Sequence, residues 1–212
     1  MLSKRLLAIS EMVEKNRVAY DVGCDHGLLP CFLVRNGISP KAYASDIAEG
    51  PLAKAKENIH HQKLDGLVIP ILADGLSLVP NDVETVIIAG MGVHTIISIL
   101  EAANLSSFKQ IICAPNKDMS ILRSYLSSRH LTIRDERVVH DRFFYEIIVF
   151  NSSYHDSYSE KEIKYGPINL ARRDEIFMDY LKFTRDKLVK INLKAHKMEY
   201  ESAINELGSL IE

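Results

Sequence analysis

The stretch Val18-Ala19-Tyr20-Asp21-Val22-Gly23-Cys24-Asp25-His26-Gly27-Leu28-Leu29-Pro30-Cys31 decides the fold. Val18 to Val22 reads as a short β-strand, stopped by Gly23. Leu28 to Asn36 reads as a helix, with Pro30 suited to its first turn and Gly37 placed to close it. A strand that turns through two glycines into a helix is the opening unit of a parallel α/β sheet.

The same alternation recurs on both sides. Upstream, Ser3 to Lys15 carries Leu6, Ile9, Met12 and Val13 at helical spacing. Downstream, Ala42–Asp46 is a second strand, followed by a helix with Pro51 in its first turn. Leu67–Leu72 is a third strand, and its Pro70 places it near a sheet edge, because proline cannot donate to a ladder. Thr85–Ala89 is apolar throughout, as a strand buried on both faces must be. Helix His94–Ala103, strand Gln110–Ala114 and helix Asp118–Ser128 follow. Arg137–His140 and Phe143–Phe150 then read as a hairpin turning at Asp141-Arg142. The expected fold class is α/β, a doubly wound parallel sheet closed by an antiparallel pair. Its ligand crevice lies outside the carboxyl ends of the strands.

Asn151 to Pro167 is polar and reads as a surface connection. About forty helix-forming residues follow. Phe177, Leu181, Thr184, Leu188, Ile191, Ala195 and Met198 recur at 4-3-4-3 spacing, a coiled-coil-like seam. Tyr200, Ile204, Leu207 and Ile211 form a second row, the return arm of a helical hairpin turning near Asn192 to His196. The expected division is a ligand-binding domain over residues 1–151 and a linker with a C-terminal helical domain over 152–212.

Composition sets the outer bounds. The chain has 212 residues, 47% hydrophobic and 25% charged, which excludes a largely disordered or low-complexity protein. Lys and Arg total 26 against 28 Asp and Glu, so a nucleic-acid partner would need a local basic face. No apolar run approaches the ~20 residues that span a bilayer. Met1 to Leu7 reads as an amphipathic helix, not a signal peptide. Cys24, Cys31 and Cys113 form no CxxC pair, which speaks against a disulfide framework or thiolate zinc site and fits a reducing cytoplasm. No G-x-x-x-x-G-K-[ST] phosphate loop and no H-x-E with P-C-x-x-C occurs, and no metal is expected.

The strand-end loops carry the chemistry. Asp21 lies at the end of strand one, and Gly23, Asp25, His26 and Gly27 follow it. Asp46 closes strand two, Asp74 and Gly75 follow strand three, and Gly90, Met91 and Gly92 follow strand four. A nicotinamide site needs chiefly a glycine turn and one ribose acid. The second acid here suits an adenosyl cofactor with a sulfonium and an amino-acid tail. Asp46 would take the ribose hydroxyls, Asp74 the adenine amine, and the Gly23 loop the tail. Most have a plainer alternative: Asp21 and Asp25 as turn or capping residues, Asp46 and Asp74 as strand-end punctuation, Gly90 and Gly92 as packing, His26 as a surface histidine.

These residues resemble the bacterial tRNA (adenine(22)-N1)-methyltransferases. The matching segments are Leu2–Leu6, Asp21–Cys31, Gly50-Pro51, Asp74–Leu76, Ile88–Gly92, Pro115-Asn116 and Tyr145-Glu146. The chain departs from the family at Val93, where glycine is usual, and at Ala114, where glutamine often precedes Pro-Asn. The resemblance implies a Rossmann-like class I methyltransferase sheet with a C-terminal coiled-coil hairpin, S-adenosyl-L-methionine as donor, and tRNA methylated at adenine N1. On that basis Asp25 and His26 are candidates near the methyl-transfer centre. Asn116 is the candidate for the adenine edge, and Tyr145 or Phe144 for stacking on it, Tyr145 having a core-packed strand residue as its alternative.

The tail suits tRNA in charge. From Arg172 to Lys197 eight basic residues face four acidic ones. Arg172, Arg173, Lys187, Lys190, Lys194 and Lys197 are the candidate phosphate contacts, with Lys187 to Lys197 read as one helical face or, in the plainer reading, an ordinary solvated one. Two rival functions stand beside this one. They are a methyltransferase of the same fold acting on another RNA position, a small molecule or a protein, and a non-catalytic RNA-binding module.

Overall fold

A computed structural model describes residues 2–212, so Met1 lies outside the described residues. In chain order the elements are α1 (Lys4–Met12), β1 (Ala19–Val22), α2 (Leu28–Arg35), β2 (Ala42–Asp46), α3 (Glu49–His61), β3 (Val68–Leu72) and β4 (Thr85–Ala89). Next come α4 (Val93–Glu101), β5 (Gln110–Ala114), α5 (Met119–Ser128), β6 (Leu131–His140) and β7 (Phe144–Tyr154). The chain ends in α6 (Glu160–Tyr165), α7 (Pro167–Arg172), α8 (Glu175–Ala195) and α9 (Met198–Ile211).

Seven strands form one sheet in the order β3-β2-β1-β4-β5-β7-β6. β1 to β5 are parallel, and β7 runs antiparallel to both β5 and β6. β3 is the edge strand, which is where Pro70 costs least. Side-chain alternation buries the sheet on both faces. Tyr20, Val22, Val86, Ile88 and Ile111 point to one side, against Ile96 and Leu100 of α4 and Leu122 and Leu126 of α5. Ala19, Ile87 and Ile112 point to the other, against Ile9 and Met12 of α1 and Leu33 of α2. Each fully buried Leu, Ile or Phe contributes about 1.5–3 kcal/mol relative to exposure. Ser3 starts α1 by accepting the Leu6 N–H, which fixes how the residues beginning at Lys4 meet the sheet.

Two expectations need correction. β6 and β7 are longer than the alternation predicts and are joined by three residues, Asp141 to Phe143. The polar run Arg134-Asp135-Glu136 hid the first half of β6. Glu136 is fully buried there, its charge met by Arg123 of α5 at 2.7 Å. The connection after Asn151 is also not plain surface. β7 continues to Tyr154, Tyr158 is buried, and α6 begins with a capping box between Ser159 and Glu162.

α8 and α9 pack as a helical hairpin. The turn is at His196, in the left-handed conformation, and Lys197, whose N–H donates to Asn192 Oδ1 at 2.8 Å. Phe177, Leu181, Leu207 and Leu210 bury the base of the hairpin against Val138 of β6. Leu210 was not in the expected return row. The distal seam residues Ile191, Ala195 and Met198 are exposed. No helix among the described residues is long and apolar enough to cross a membrane.

Candidate active site

The strand order reverses beside β1, between β2 and β4, and the loops leaving these strands converge there. Arg5, Asp21, Gly23, Asp25, His26 and Gly90 line a cavity of about 250 Å³. Gly23 has φ +70°, a left-handed conformation that favours glycine, and a Cβ on it would also displace the flexible end of Met91 from the loop after β4. Cys24 N donates to Ser45 O at 2.9 Å and Gly27 N to Cys24 O at 2.8 Å, which ties the turn to β2.

Asp21 is buried beneath this turn. Burial, and secondarily the charge of Asp46, pushes its carboxyl up to about 8. It is an acid kept neutral against a cavity, poised to ionise beside a cation. Asp46 accepts from Ala48 N at 3.0 Å with one oxygen and from Asp25 N at 3.4 Å with the other. Asp25 Oδ1 and His26 Nε2 are 3.6 Å apart, and both side chains are exposed at the cavity mouth. Gly27 caps α2 and lies against Ala55. Asp74 is exposed after β3, with Gly75 buried beside Ile99, farther along the same sheet edge. A groove with a glycine floor, a buried acid and successive strand-end acids fits a nucleoside with a cationic tail.

Across the reversal lies a second group. Asn116 Nδ2 donates to Gly90 O at 2.8 Å, and Asn116 N donates to Met91 O at 2.9 Å, joining the loops after β4 and β5. Gly92 caps α4, whose first residue, Val93, is buried in the core. Ala114 is buried at the end of β5. Asn116 Oδ1 accepts from Arg5 at 3.3 Å, and the Arg5 guanidinium lies 4.8 Å over the Tyr145 ring. Arg5 was not anticipated as a site residue. A basic residue at the start of an amphipathic helix looks like any solvated one, and only the fold brings it to Asn116, 111 residues away.

Strand alternation separates the two stacking candidates. Tyr145 faces the site, whereas Phe144 packs on His140, Tyr180 and Phe183 at 4.4, 5.6 and 5.3 Å between ring centroids. The basic residues of the tail divide in the same way. Arg172 pairs with Asp135 and donates to Glu136 O at 2.7 Å, so its charge is spent on the scaffold. Arg173 is exposed after α7. Lys187, Lys190 and Lys194 line a groove with Phe183 and Ile191, and none has an ion-pair partner among the described residues. Lys197 is not on their face. It lies past the helix end and pairs with Glu199 at 3.4 Å.

Residues 2–148 match a family model described as a methyltransferase domain. The chain is 27% identical to the tRNA (adenine(22)-N(1))-methyltransferase of Bacillus subtilis, over all of this chain and 94% of that one. A Streptococcus pneumoniae protein solved in complex with S-adenosyl-L-methionine superposes with a TM-score of 0.91, at 27% identity and 100% of both chains. The M. capricolum TrmK, in complex with S-adenosyl-homocysteine, gives a TM-score of 0.83 at 28% identity, covering 99% of this chain and 96% of that one.

Proposed function

The chain belongs to the methyltransferase-domain family, among the bacterial tRNA (adenine(22)-N1)-methyltransferases, and on that premise we propose that it methylates N1 of adenine 22 in tRNA. The observation that carries this reading is the pairing across β1 and β4. One side is an acid-lined cavity fit for S-adenosyl-L-methionine, and the other is an amide and an aromatic ring fit for a nucleobase.

S-adenosyl-L-methionine supplies an electrophilic methyl carbon, with the electron pair of the broken C–S bond left on sulfur as a neutral thioether. Asp46 holds the ribose diol, Asp74 the adenine amine, and the Gly23–Gly27 turn with Asp21 the amino-acid end. Gly75, Gly90, Met91 and Gly92 complete the walls. Neutral adenine N1 attacks with its own lone pair, so no side chain need remove a proton first. The protein's work is alignment and exclusion of water. The methylated ring is cationic, and acceptors at the adenine edge stabilise that developing charge. We assign Asn116 Oδ1 to this role, in exchange for its contact with Arg5, with Asp25 and His26 at the methyl-transfer end and Tyr145 as the stacking face.

Residues 1–151 thus do the chemistry, and residues 152–212 grip the RNA. Unstacking a base costs a few kcal/mol, which phosphate contacts along the hairpin offset. Arg173 and the row Lys187, Lys190 and Lys194 are the contacts proposed. The decisive experiment incubates tRNA with protein and donor, then maps modified nucleosides by mass spectrometry. A single 1-methyladenosine at position 22 is expected. Modification elsewhere, or none, overturns the assignment.

A further inference from the structure

We infer that Phe143, at the tip of the β6–β7 hairpin, fills the gap left in the RNA stack when the target adenine swings onto Tyr145, with Arg142 on the adjoining phosphate. This inference rests on the proposed function and adds how the target is reached.

Adenine N1 lies on the Watson–Crick edge, which is closed off in any paired base. A methyl carbon in the cavity beside Gly23 therefore meets N1 only after the base leaves its stack. The vacated interval favours a flat apolar group held on a stiff support. Phe143 is 69% exposed, so its ring is open to a partner beside the site. Its carbonyl accepts the Asp141 N–H at 3.0 Å, which tightens the loop beneath it. The next residue, Phe144, is wedged among His140, Tyr180 and Phe183, so the ring projects from an anchored strand.

Its position relative to Tyr145 makes the case specific. The two rings are 6.5 Å apart with their planes at 80°. They cannot both belong to one stack. One can sit in the RNA helix while the other receives the extruded base. The other large exposed aromatic side chains are already engaged: Tyr154 stacks on His130 at 5.2 Å, and Phe183 packs on Phe144. Arg142 is exposed and has no ion-pair partner among the described residues, which leaves its guanidinium available to a phosphate oxygen.

The test uses full-length protein and a tRNA transcript with 2-aminopurine at the target position. Wild-type binding should raise its fluorescence as the base unstacks, and Phe143→Ala should suppress the rise, while Phe143→Trp retains it. On unlabelled tRNA, Phe143→Ala should lower kcat/KM on the order of ten- to a hundredfold. On a transcript with an abasic site opposite the target, where unstacking is already cheap, the loss should shrink to about threefold or less. S-adenosylhomocysteine affinity should stay at the wild-type value, which shows that the variant folds. An unchanged fluorescence rise, or equal losses on the two transcripts, overturns the wedge. Wild-type protein that methylates neither transcript is a different result and sinks the function itself.

Discussion

Asp21 is the residue whose behaviour tests the site most directly. Its folded carboxyl titrates at about 8, above the ~3.9 of an unfolded aspartate, because it is buried and because Asp46 is near. Between those values the folded state holds a proton that the unfolded chain has lost. Stability from this group is therefore complete below pH ~4 and falls as pH rises toward 8. Asp21→Asn should raise the ligand-free Tm at pH 8 and leave it unchanged at pH 4. The ammonium of the donor's amino-acid tail, set beside Asp21, favours the ionised form, so binding should release a proton. Affinity for S-adenosylmethionine should then rise with pH through about 8 in wild type and lose that dependence in Asp21→Asn, with weaker binding throughout. Calorimetry in buffers of different ionisation enthalpy reads the proton directly, and a flat pH profile in wild type would sink the idea. Asp46→Ala should weaken the same ligand on the order of ten- to a hundredfold, the scale of a lost hydrogen bond to a charged group. These acids were legible because each sits in the last residues of a strand, and strand ends in such sheets face the ligand. Arg5 and Phe143 were not, since neither follows a strand of the parallel sheet. What marks them is a position in space, Arg5 over Tyr145 and Phe143 at a loop tip.

At the scale of elements, the β6–β7 ribbon and the segment after it turn on a buried ionic cluster. Arg123 is 1% exposed and binds Glu136 and Glu146 at 2.7 Å each, while Tyr180 of α8 donates to the second oxygen of Glu146. Glu136 also accepts the Ile168 N–H at 2.9 Å at the start of α7. One guanidinium thus ties α5, both antiparallel strands and the tail together. Removing it leaves two carboxylates facing each other out of water. Arg123→Met should cost about 3–5 kcal/mol in urea unfolding, and adding Glu136→Leu should recover part of that loss. A single variant within about 0.5 kcal/mol of wild type would mean that the cluster is solvated. Gly166 gives an independent check. At φ +92° it approaches so closely that a Cβ would lie 2.5 Å from the Glu136 carboxylate oxygens, so Gly166→Ala should destabilise as well. This cluster also explains why the first half of β6 is hidden in the sequence. Arg123 and Glu136 are buried polar residues whose partners lie 13 to 41 positions away, a pairing that local periodicity does not carry.

Over the whole molecule, the chain alternates strand and helix through α5, and that alternation made the parallel sheet readable. Where the helical hairpin sits was not readable, because it depends on Phe177, Leu181, Leu207 and Leu210 meeting Val138. That docking has a consequence. Neighbouring residues of β7 face opposite ways, with Tyr145 toward the cavity and Phe144 toward Phe183 on the hairpin. The lysine groove that includes Phe183 therefore abuts the same strand that carries Tyr145, and it is the surface proposed for RNA. Each phosphate contact releases counterions, so the slope of log affinity against log salt counts contacts at roughly 0.7–0.9 each. Neutralising Lys187, Lys190 and Lys194 together with glutamine should flatten that slope by about 2–3 and raise KM for tRNA, while S-adenosylhomocysteine affinity stays unchanged. Arg172→Gln should behave differently. Its charge is committed to Asp135 and the Glu136 carbonyl, so it should lower stability and leave the salt slope intact. A triple variant with the wild-type slope would take the hairpin out of RNA binding and leave its packing on the sheet as its only role.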